Sequence, residues 1–221
     1  MKLPLKNNIC LRLTDVGASY DGKEIFKNLS LEVGERDYLA VTGANGCGKT
    51  TLMRIILGLK QPTMGTVEYF SQGHPVSHLD IGYLPQMNSI DSKFPISVEE
   101  VVMSGLNECG KTFFQHTTDA MRNQVDETLR EMGIKELGSR AFGTLSGGQQ
   151  QRALLARAIV SNPDIVILDE PNTYIDRHFQ SHLYDMLDLL NKRSAIIIVT
   201  HDIAAIKTKT SHILHMERHD D

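Results

Sequence analysis

Residues 43–51 read GANGCGKTT. This stretch fits the pattern G-x-x-x-x-G-K-[ST], a loop whose backbone amides wrap around phosphate oxygens. A predicted strand, 38–42, precedes it, and residues 50–57 follow with a helix-like sequence. Because a strand leads into the loop and a helix leaves it, we predict a nucleotide-phosphate site rather than a glycine-rich turn that binds nothing.

The residues of this loop have different expected roles. The Lys49 ammonium should reach the β- and γ-phosphates, and the Thr50 hydroxyl should bind Mg²⁺. We predict phosphate contacts from nine consecutive residues: Gly43, Ala44, Asn45, Gly46, Cys47, Gly48, Lys49, Thr50 and Thr51.

A second stretch, residues 165–171, reads IVILDEP. Its apolar residues would form a buried strand that delivers two adjacent carboxylates to the C-terminal edge of a sheet, where ligands bind in such folds. We expect Asp169 to hold Mg²⁺ through water and Glu170 to orient or deprotonate an attacking water molecule. An isolated pair of acids is commonly just a solvated strand end, but the phosphate loop upstream favours the functional interpretation.

The third stretch, residues 145–152, reads LSGGQQQR. A hydroxyl and two glycines at the start of a helix make a second anion site. Seen alone, Ser146, Gly147 and Gly148 would be interpreted as a loop and a helix cap. Together with the other two stretches, they predict a second phosphate-binding device in one chain.

The periodicity of the chain indicates a mixed α/β fold. Short strands are predicted in the first part of the chain, at 9–16, 29–33, 38–42, 66–70 and 81–84. Helices are predicted in the middle, at 98–106, 118–132 and 149–161. The last part alternates between strands at 165–168, 195–200 and 212–216 and helices at 177–191 and 203–207. Continuous apolar strands separated by helices indicate a parallel sheet covered on both faces.

Composition narrows the class of protein. The 221 residues suffice for one sizeable domain, and the net charge of −4 gives no general attraction to nucleic acid, so we expect no nucleic-acid partner. The longest strongly apolar run, 195–199, is far shorter than the ~20 residues that span a bilayer, so membrane contact is expected only through a partner. Three scattered cysteines, Cys10, Cys47 and Cys109, are typical of reduced thiols in a cytosolic protein.

In this order, the three quoted stretches resemble the phosphate loop, the signature and the Mg²⁺ strand of ABC-type ATPases. The resemblance covers nearly the whole chain. It implies a single ABC ATPase domain with an α/β P-loop NTPase core, an N-terminal antiparallel β portion and an inserted α-helical subdomain. Residues 1–86 and 161–221 would form the core, and residues 87–160 the helical subdomain with the signature.

The resemblance also implies roles for residues outside the three motifs. Tyr20 matches the aromatic residue that stacks on adenine, and Gln86 matches the glutamine that senses Mg²⁺ and the γ-phosphate. His201 matches the switch histidine beside the γ-phosphate. The implied catalytic residues are Glu170, His201, Gln86 and Lys49, and the implied metal-binding residues are Thr50, Gln86 and Asp169. The sequence departs from the family at residues 172–176, where NTYID replaces the more usual TSALD.

The function implied by the resemblance is Mg²⁺-dependent ATP hydrolysis that drives transport. Two copies would face each other head to tail, so that Ser146, Gly147, Gly148 and Gln149 of one copy cover the ATP of the other. The expected partners are integral membrane permease subunits and an extracytoplasmic substrate-binding protein, with this chain peripheral on the cytoplasmic face of the membrane.

One further segment of the sequence bears on the transported substrate, and other functions are considered beside transport. The segment 84–106, LPQMNSIDSKFPISVEEVVMSGL, resembles the ATPases of importers for zinc, manganese or iron. Two alternatives stay open: a soluble ABC ATPase of nucleic-acid repair or ribosomes, and an ABC exporter subunit. The LSGGQ stretch and Glu170 argue against a third, a P-loop kinase or non-hydrolysing module.

Overall fold

The structure is a computed structural model that describes residues 8–86, 95–106, 117–202 and 206–217. The strands are β1 (Ile9–Tyr20), β2 (Lys23–Gly34), β3 (Tyr38–Gly43), β4 (Met64–Ser71), β5 (His74–Val76), β6 (Ile81–Leu84), β7 (Ile165–Asp169), β8 (Ala195–Val199) and β9 (His212–Met216). The helices are α1 (Lys49–Ile56), α2 (Val98–Met103), α3 (Asp119–Glu131), α4 (Gly147–Ile159) and α5 (Arg177–Leu190).

The chain divides into two compact units. Unit 1 comprises Met1–Leu79 and Leu187–Asp221, and unit 2 comprises Asp80–Met186. Unit 1 is therefore built from both ends of the chain, whereas unit 2 is one continuous segment. The division into a core and a helical subdomain at residues 86 and 160 remains a prediction.

An antiparallel sheet in unit 1 has the strand order β2-β1-β4-β5. Strands β1 and β2 form a hairpin in which Tyr20 pairs with Lys23. The two turn residues, Asp21 and Gly22, have φ values of 49° and 81°, and two consecutive residues with positive φ match the twist of a tight hairpin. The expected N-terminal antiparallel β portion is confirmed.

Unit 1 also contains three parallel strands. Strand β3 lies between β8 and β9 and runs parallel to both. Every residue of β8 is buried, and so are the first five residues of β3. These continuous apolar runs have no solvated face, which is the property from which the parallel sheet was predicted.

In unit 2, strands β6 and β7 pair in parallel, and helix α4 packs closely on β6. A Cβ atom on Gly82 of β6 would lie 1.7 Å from the carbonyl oxygen of Ala158 in α4. A Cβ on Gly105 would lie 2.1 Å from the carbonyl oxygen of Arg157. Only glycine allows such approaches, so these two residues set the distance between the backbone of α4 and its neighbours.

Most predicted elements agree with the structure within a few residues, but some differ. Strands β1 and β2 are longer than predicted, because polar hairpin residues are held by cross-strand pairing. Strand β5 was not predicted, and the predicted helix 98–106 ends as an α-helix at Met103 and continues as a 3-10 turn. The predicted helix 203–207 lies mostly outside the described residues. Cys109 also lies outside them. Among the helices that the structure describes, none combines the length and the apolar character needed to cross a bilayer.

Candidate functional site

The glycine loop joins β3 to α1 in unit 1, as predicted. Gly43 ends the buried strand, and a Cβ there would lie 2.2 Å from the carbonyl oxygen of Met216. Ala44, Asn45 and Gly46 are exposed. The strand thus anchors one side of the loop while the tip stays open to a ligand.

Helix α1 begins without a side-chain cap, so its N-terminal amides and the positive end of its dipole face the glycine loop. Its N-cap residue, Gly48, has φ 99°, no side chain makes a capping hydrogen bond there, and the first turn holds no acidic residue among the described positions. A Cβ on Gly48 would lie 2.6 Å from Cγ2 of Ile25, so glycine is required by space as well as by backbone angle. An anion would find amide donors and a favourable dipole at this helix end.

The Lys49 side chain bends back over the loop. Its Nζ donates to the carbonyl oxygens of Gly43 at 2.7 Å and Ala44 at 2.9 Å, and the residue is 8% exposed. Burial of an ammonium requires such partners. These two carbonyl groups hold the charge directly at the loop, where phosphate oxygens would be bound.

Tyr20 is the last residue of β1, at the turn of the β1–β2 hairpin. Its ring is 42% exposed, and the Nζ of Lys60 lies 3.9 Å from the ring centroid. Lys60 also donates to the carbonyl oxygen of Ser19 at 3.5 Å. A cation over one face of an exposed aromatic ring leaves the other face for a stacking partner.

His201 follows β8 at the same sheet edge as the loop. The parallel register pairs Val41 with Val199, so His201 stands level with Gly43. The structure therefore brings the glycine loop and the predicted switch histidine to one edge of unit 1. This is the edge where ligands bind in parallel sheets.

The two predicted carboxylates lie in unit 2 at the end of β7. Asp169 is 3% exposed, and Glu170 adopts a left-handed backbone conformation with φ 53°. Strand β6 pairs Leu84 with Leu168, so Gln86 stands level with Glu170. Gln86 thus shares the C-terminal edge of this strand pair with Asp169 and Glu170, the two carboxylates that were predicted there.

Helix α4 begins with the capping motif that the sequence alone suggested. The Ser146 hydroxyl accepts from the Gln149 amide at 3.4 Å, and the Ser146 amide donates to Oε1 of Gln149 at 3.1 Å. Such a capping box satisfies two amides reciprocally. Cap and anion site are compatible here, because the cap leaves the amides of Gly147 and Gly148 out of the reciprocal pair.

Tyr174, in the stretch that departs from the family pattern, lies against the start of α4. A Cβ on Gly147 would lie 3.3 Å from Cγ of Tyr174, and a Cβ on Gly148 would lie 2.9 Å from its carbonyl oxygen. Tyr174 has φ 64° and is 60% exposed. The two signature glycines therefore also make room for this residue, which sequence reasoning did not foresee.

Asp176 begins α5 and is tied to α4. Its Oδ1 accepts from the Phe179 amide at 2.9 Å, and its Oδ2 lies 3.2 Å from Arg152. The Phe179 amide and the Arg152 charge hold the pKa of Asp176 below its usual range. The acidic residue that the family pattern retains is thus a helix cap in this chain.

Sequence reasoning missed the roles of Lys60 behind Tyr20 and Gln151 within α4, and it did not foresee the contact of Tyr174 with Gly147. Each is identified by a contact across the fold rather than by its neighbours in sequence. The roles assigned to the other site residues remain predictions.

The chain matches a known protein family and is similar to individual proteins of it. Residues 26–173 match the family described as "ABC transporter". The chain is 32% identical over 213 residues to the zinc uptake system ATP-binding protein ZurA of Listeria monocytogenes, covering 94% of this chain and 82% of that protein. It is 34% identical over 212 residues to the manganese transport system ATP-binding protein MntB of Halalkalibacterium halodurans, covering 96% and 84%.

A solved structure shares the fold. It is described as the dimeric structure of a bacterial ABC transporter cassette, with a TM-score of 0.78 and 25% sequence identity. The match covers 94% of this chain and 94% of that one.

Proposed function

We infer that this chain, which belongs to the ABC transporter family, is the ATP-hydrolysing subunit of an importer for a divalent metal ion, zinc or manganese. The observation that carries the ATPase assignment is the uncapped start of α1 behind the glycine loop, with Lys49 held at the loop carbonyls. The names of the zinc and manganese relatives support the cargo.

ATP would be bound by unit 1. The loop amides and Lys49 would take the phosphates, and Lys49 would exchange its bonds to the carbonyls of Gly43 and Ala44 for bonds to phosphate oxygens. Adenine would stack on the exposed ring of Tyr20. His201, level with Gly43, would contact the γ-phosphate.

The predicted Mg²⁺ ligands carry oxygen atoms, the ligand type that Mg²⁺ prefers. The Thr50 hydroxyl, the Asp169 carboxylate and the Gln86 amide would hold it, and none of the described residues forms a cluster of three His, Cys, Asp or Glu side chains that would bind a metal without phosphate. Mg²⁺ is ordinarily held by one or two carboxylates together with phosphates and water. When bound, Mg²⁺ would neutralise the charge that develops on the β- and γ-phosphates.

The assembly proposed is a head-to-tail dimer on membrane subunits. The solved dimer of a related cassette supports a second copy of this chain as partner. Integral permease subunits would supply the channel, a partner that the names of the zinc uptake and manganese transport relatives support. An extracytoplasmic binding protein would deliver the metal, and the dimer would sit at the cytoplasmic face.

Lys60 gives a test of adenine stacking. Replacing Lys60 with Met should weaken ATP binding about three-fold, because a cation over an exposed ring contributes a modest stabilisation. Lys27→Met is the control, since Lys27 is a lysine of unit 1 that pairs with Glu24. Affinity for ATP and for inorganic tripolyphosphate would be measured by calorimetry. An equal loss for both ligands would place the Lys60 effect on the phosphates and contradict the stacking role.

The cargo is tested by growth. Deleting the gene should slow growth under zinc or manganese chelation, and adding back the limiting metal should restore it. A chromosomal copy with Lys49→Ala is the matched control, because it retains the protein while removing the phosphate contact. Normal growth of the deletion strain under both limitations would overturn the metal assignment.

Purification distinguishes a transporter subunit from a soluble ABC ATPase. An importer or exporter subunit should be recovered with an integral membrane protein when membranes are solubilised gently. Recovery with ribosomes or nucleic acid instead would favour the soluble alternatives.

A further inference from the structure

Gln151 is a buried polar residue that the catalytic scheme above does not use. It lies in α4, about one helical turn after Gly147, and is 1% exposed. Its neighbours Ala153, Leu154 and Leu155 are buried apolar side chains. An amide at such a position loses its water and costs free energy unless its hydrogen bonds are replaced.

The amide of Gln151 reaches the residue directly after Glu170. Its Nε2 donates to the carbonyl oxygen of Pro171 at 3.2 Å, inside the protein. Rotating the amide by half a turn would set two oxygens against each other, so the Pro171 carbonyl fixes its orientation. The other end, Oε1, is buried with no hydrogen-bond partner within the described part of the chain.

The turn that Gln151 holds is strained. Glu170 has φ 53° and Tyr174 has φ 64°, a region that non-glycine residues occupy at a cost. Within the turn, the Thr173 amide donates to the Glu170 carbonyl at 3.2 Å. Such a conformation persists only when surrounding contacts fix it, and the Gln151–Pro171 bond is one of those contacts.

We propose that Gln151 is a positioning residue that links the turn after Glu170 to helix α4, which begins with the signature glycines. This inference rests on the proposed role of Glu170 as the residue that orients water. A displacement of α4, whose first residues would meet the ATP of the second copy, is passed through one side chain to the backbone beside Glu170. Closure of the dimer would thereby set the position of the carboxylate.

The test uses a pair of adjacent glutamines. Gln150 donates from Nε2 to the carbonyl oxygen of Phe142 at 3.2 Å, a bond of the same kind and length to a different segment. Gln151→Met should lower kcat for ATP about ten-fold or more, because small displacements of reacting groups are costly, and it should change KM less than about two-fold. Gln150→Met should leave kcat within about two-fold of the unsubstituted chain.

Thermal unfolding supplies the second readout. Gln151→Met removes the donor to Pro171 but also removes the unpaired oxygen, so its unfolding midpoint should stay close to that of Gln150→Met. A kcat equal to that of Gln150→Met would overturn the proposal. A kcat loss accompanied by a much lower midpoint would also overturn it, since the bond would then be structural.

A double substitution distinguishes failure of this inference from failure of the proposed function. If Gln151 acts through Glu170, adding Gln151→Met to Glu170→Gln should lower the residual turnover no further. An additional loss of the size seen in the single variant would overturn the proposal. Normal turnover in Glu170→Gln alone would instead remove the catalytic role of Glu170 on which the inference rests.

Discussion

Replacing Glu170 with glutamine is expected to lower ATP turnover by about 100-fold or more while ATP binding is retained. Glutamine keeps the shape of the side chain but cannot accept a proton from water. The residue stands at the end of β7, beside the buried Asp169 and level with Gln86. Hydrolysis would be measured as phosphate release at saturating ATP, and binding with a fluorescent ATP analogue.

The same variant should accumulate as an ATP-bound dimer. In the proposed dimer, loss of the γ-phosphate would remove contacts between the two copies, so blocking hydrolysis would leave the closed state populated. Gel filtration with ATP and Mg²⁺ would show the dimer. Glu127→Gln, the same substitution at an exposed position of α3, is the control and should behave as the unsubstituted chain. Turnover close to normal in purified Glu170→Gln would exclude Glu170 as the catalytic base.

Replacing Ser146 with arginine is expected to abolish both dimer formation and hydrolysis while a single chain still binds ATP. The larger side chain would occupy the space in front of the amides of Gly147 and Gly148, where the γ-phosphate of the second copy would lie. Ser146 is also the N-cap of α4, so its loss costs about 1 kcal/mol of helix stability in addition. Ser146→Ala removes the cap without blocking the site, and should reduce turnover much less than arginine does.

Mixing experiments test whether the site is shared between copies. A heterodimer of Ser146→Arg with Lys49→Ala contains one composite site with an intact loop and an intact signature. Closure and some turnover should therefore return. A chain that carries both substitutions, mixed with the unsubstituted chain, gives heterodimers with no intact shared site and should show no such recovery. If Ser146→Arg alone hydrolyses ATP at the normal rate, the site is complete within one chain and the shared arrangement is wrong.

The sequence predicted the parts of the fold that depend on local pattern. The buried strands and the glycine loop were placed correctly because their signals are local: four or five consecutive apolar residues favour a buried strand, and the loop has glycines at fixed spacing. Strand β5 was missed, since its three residues are exposed and form a strand only by pairing with β4. Pairing of this kind is decided by the neighbour rather than by the segment.

The residues of the candidate site likewise fall into two groups, those predicted from a local motif and those that only the fold brings into contact. Lys49, Asp169 and Glu170 belong to contiguous motifs and were identified from them. Lys60 is 40 residues beyond Tyr20 in sequence, and its position over the ring follows from how β1 and the segment after α1 are folded. Gln151 was read only as part of the LSGGQQQR stretch, because nothing in the sequence distinguishes it from Gln150. Their different carbonyl partners appear only in three dimensions.

The construction of unit 1 from both ends of the chain has a consequence for biosynthesis. Strand β3 is made early, but both of its neighbours, β8 and β9, are made last; Thr42 of β3 and its contact His215 of β9 are 173 residues apart. At about 5–20 residues per second, a ribosome needs roughly 10–30 s to supply those neighbours. During that interval a largely apolar strand has no partner from its own sheet, whereas the continuous unit 2 can complete its strand pair before synthesis ends. Nascent chains stalled before β8 are therefore the species that should require a chaperone most.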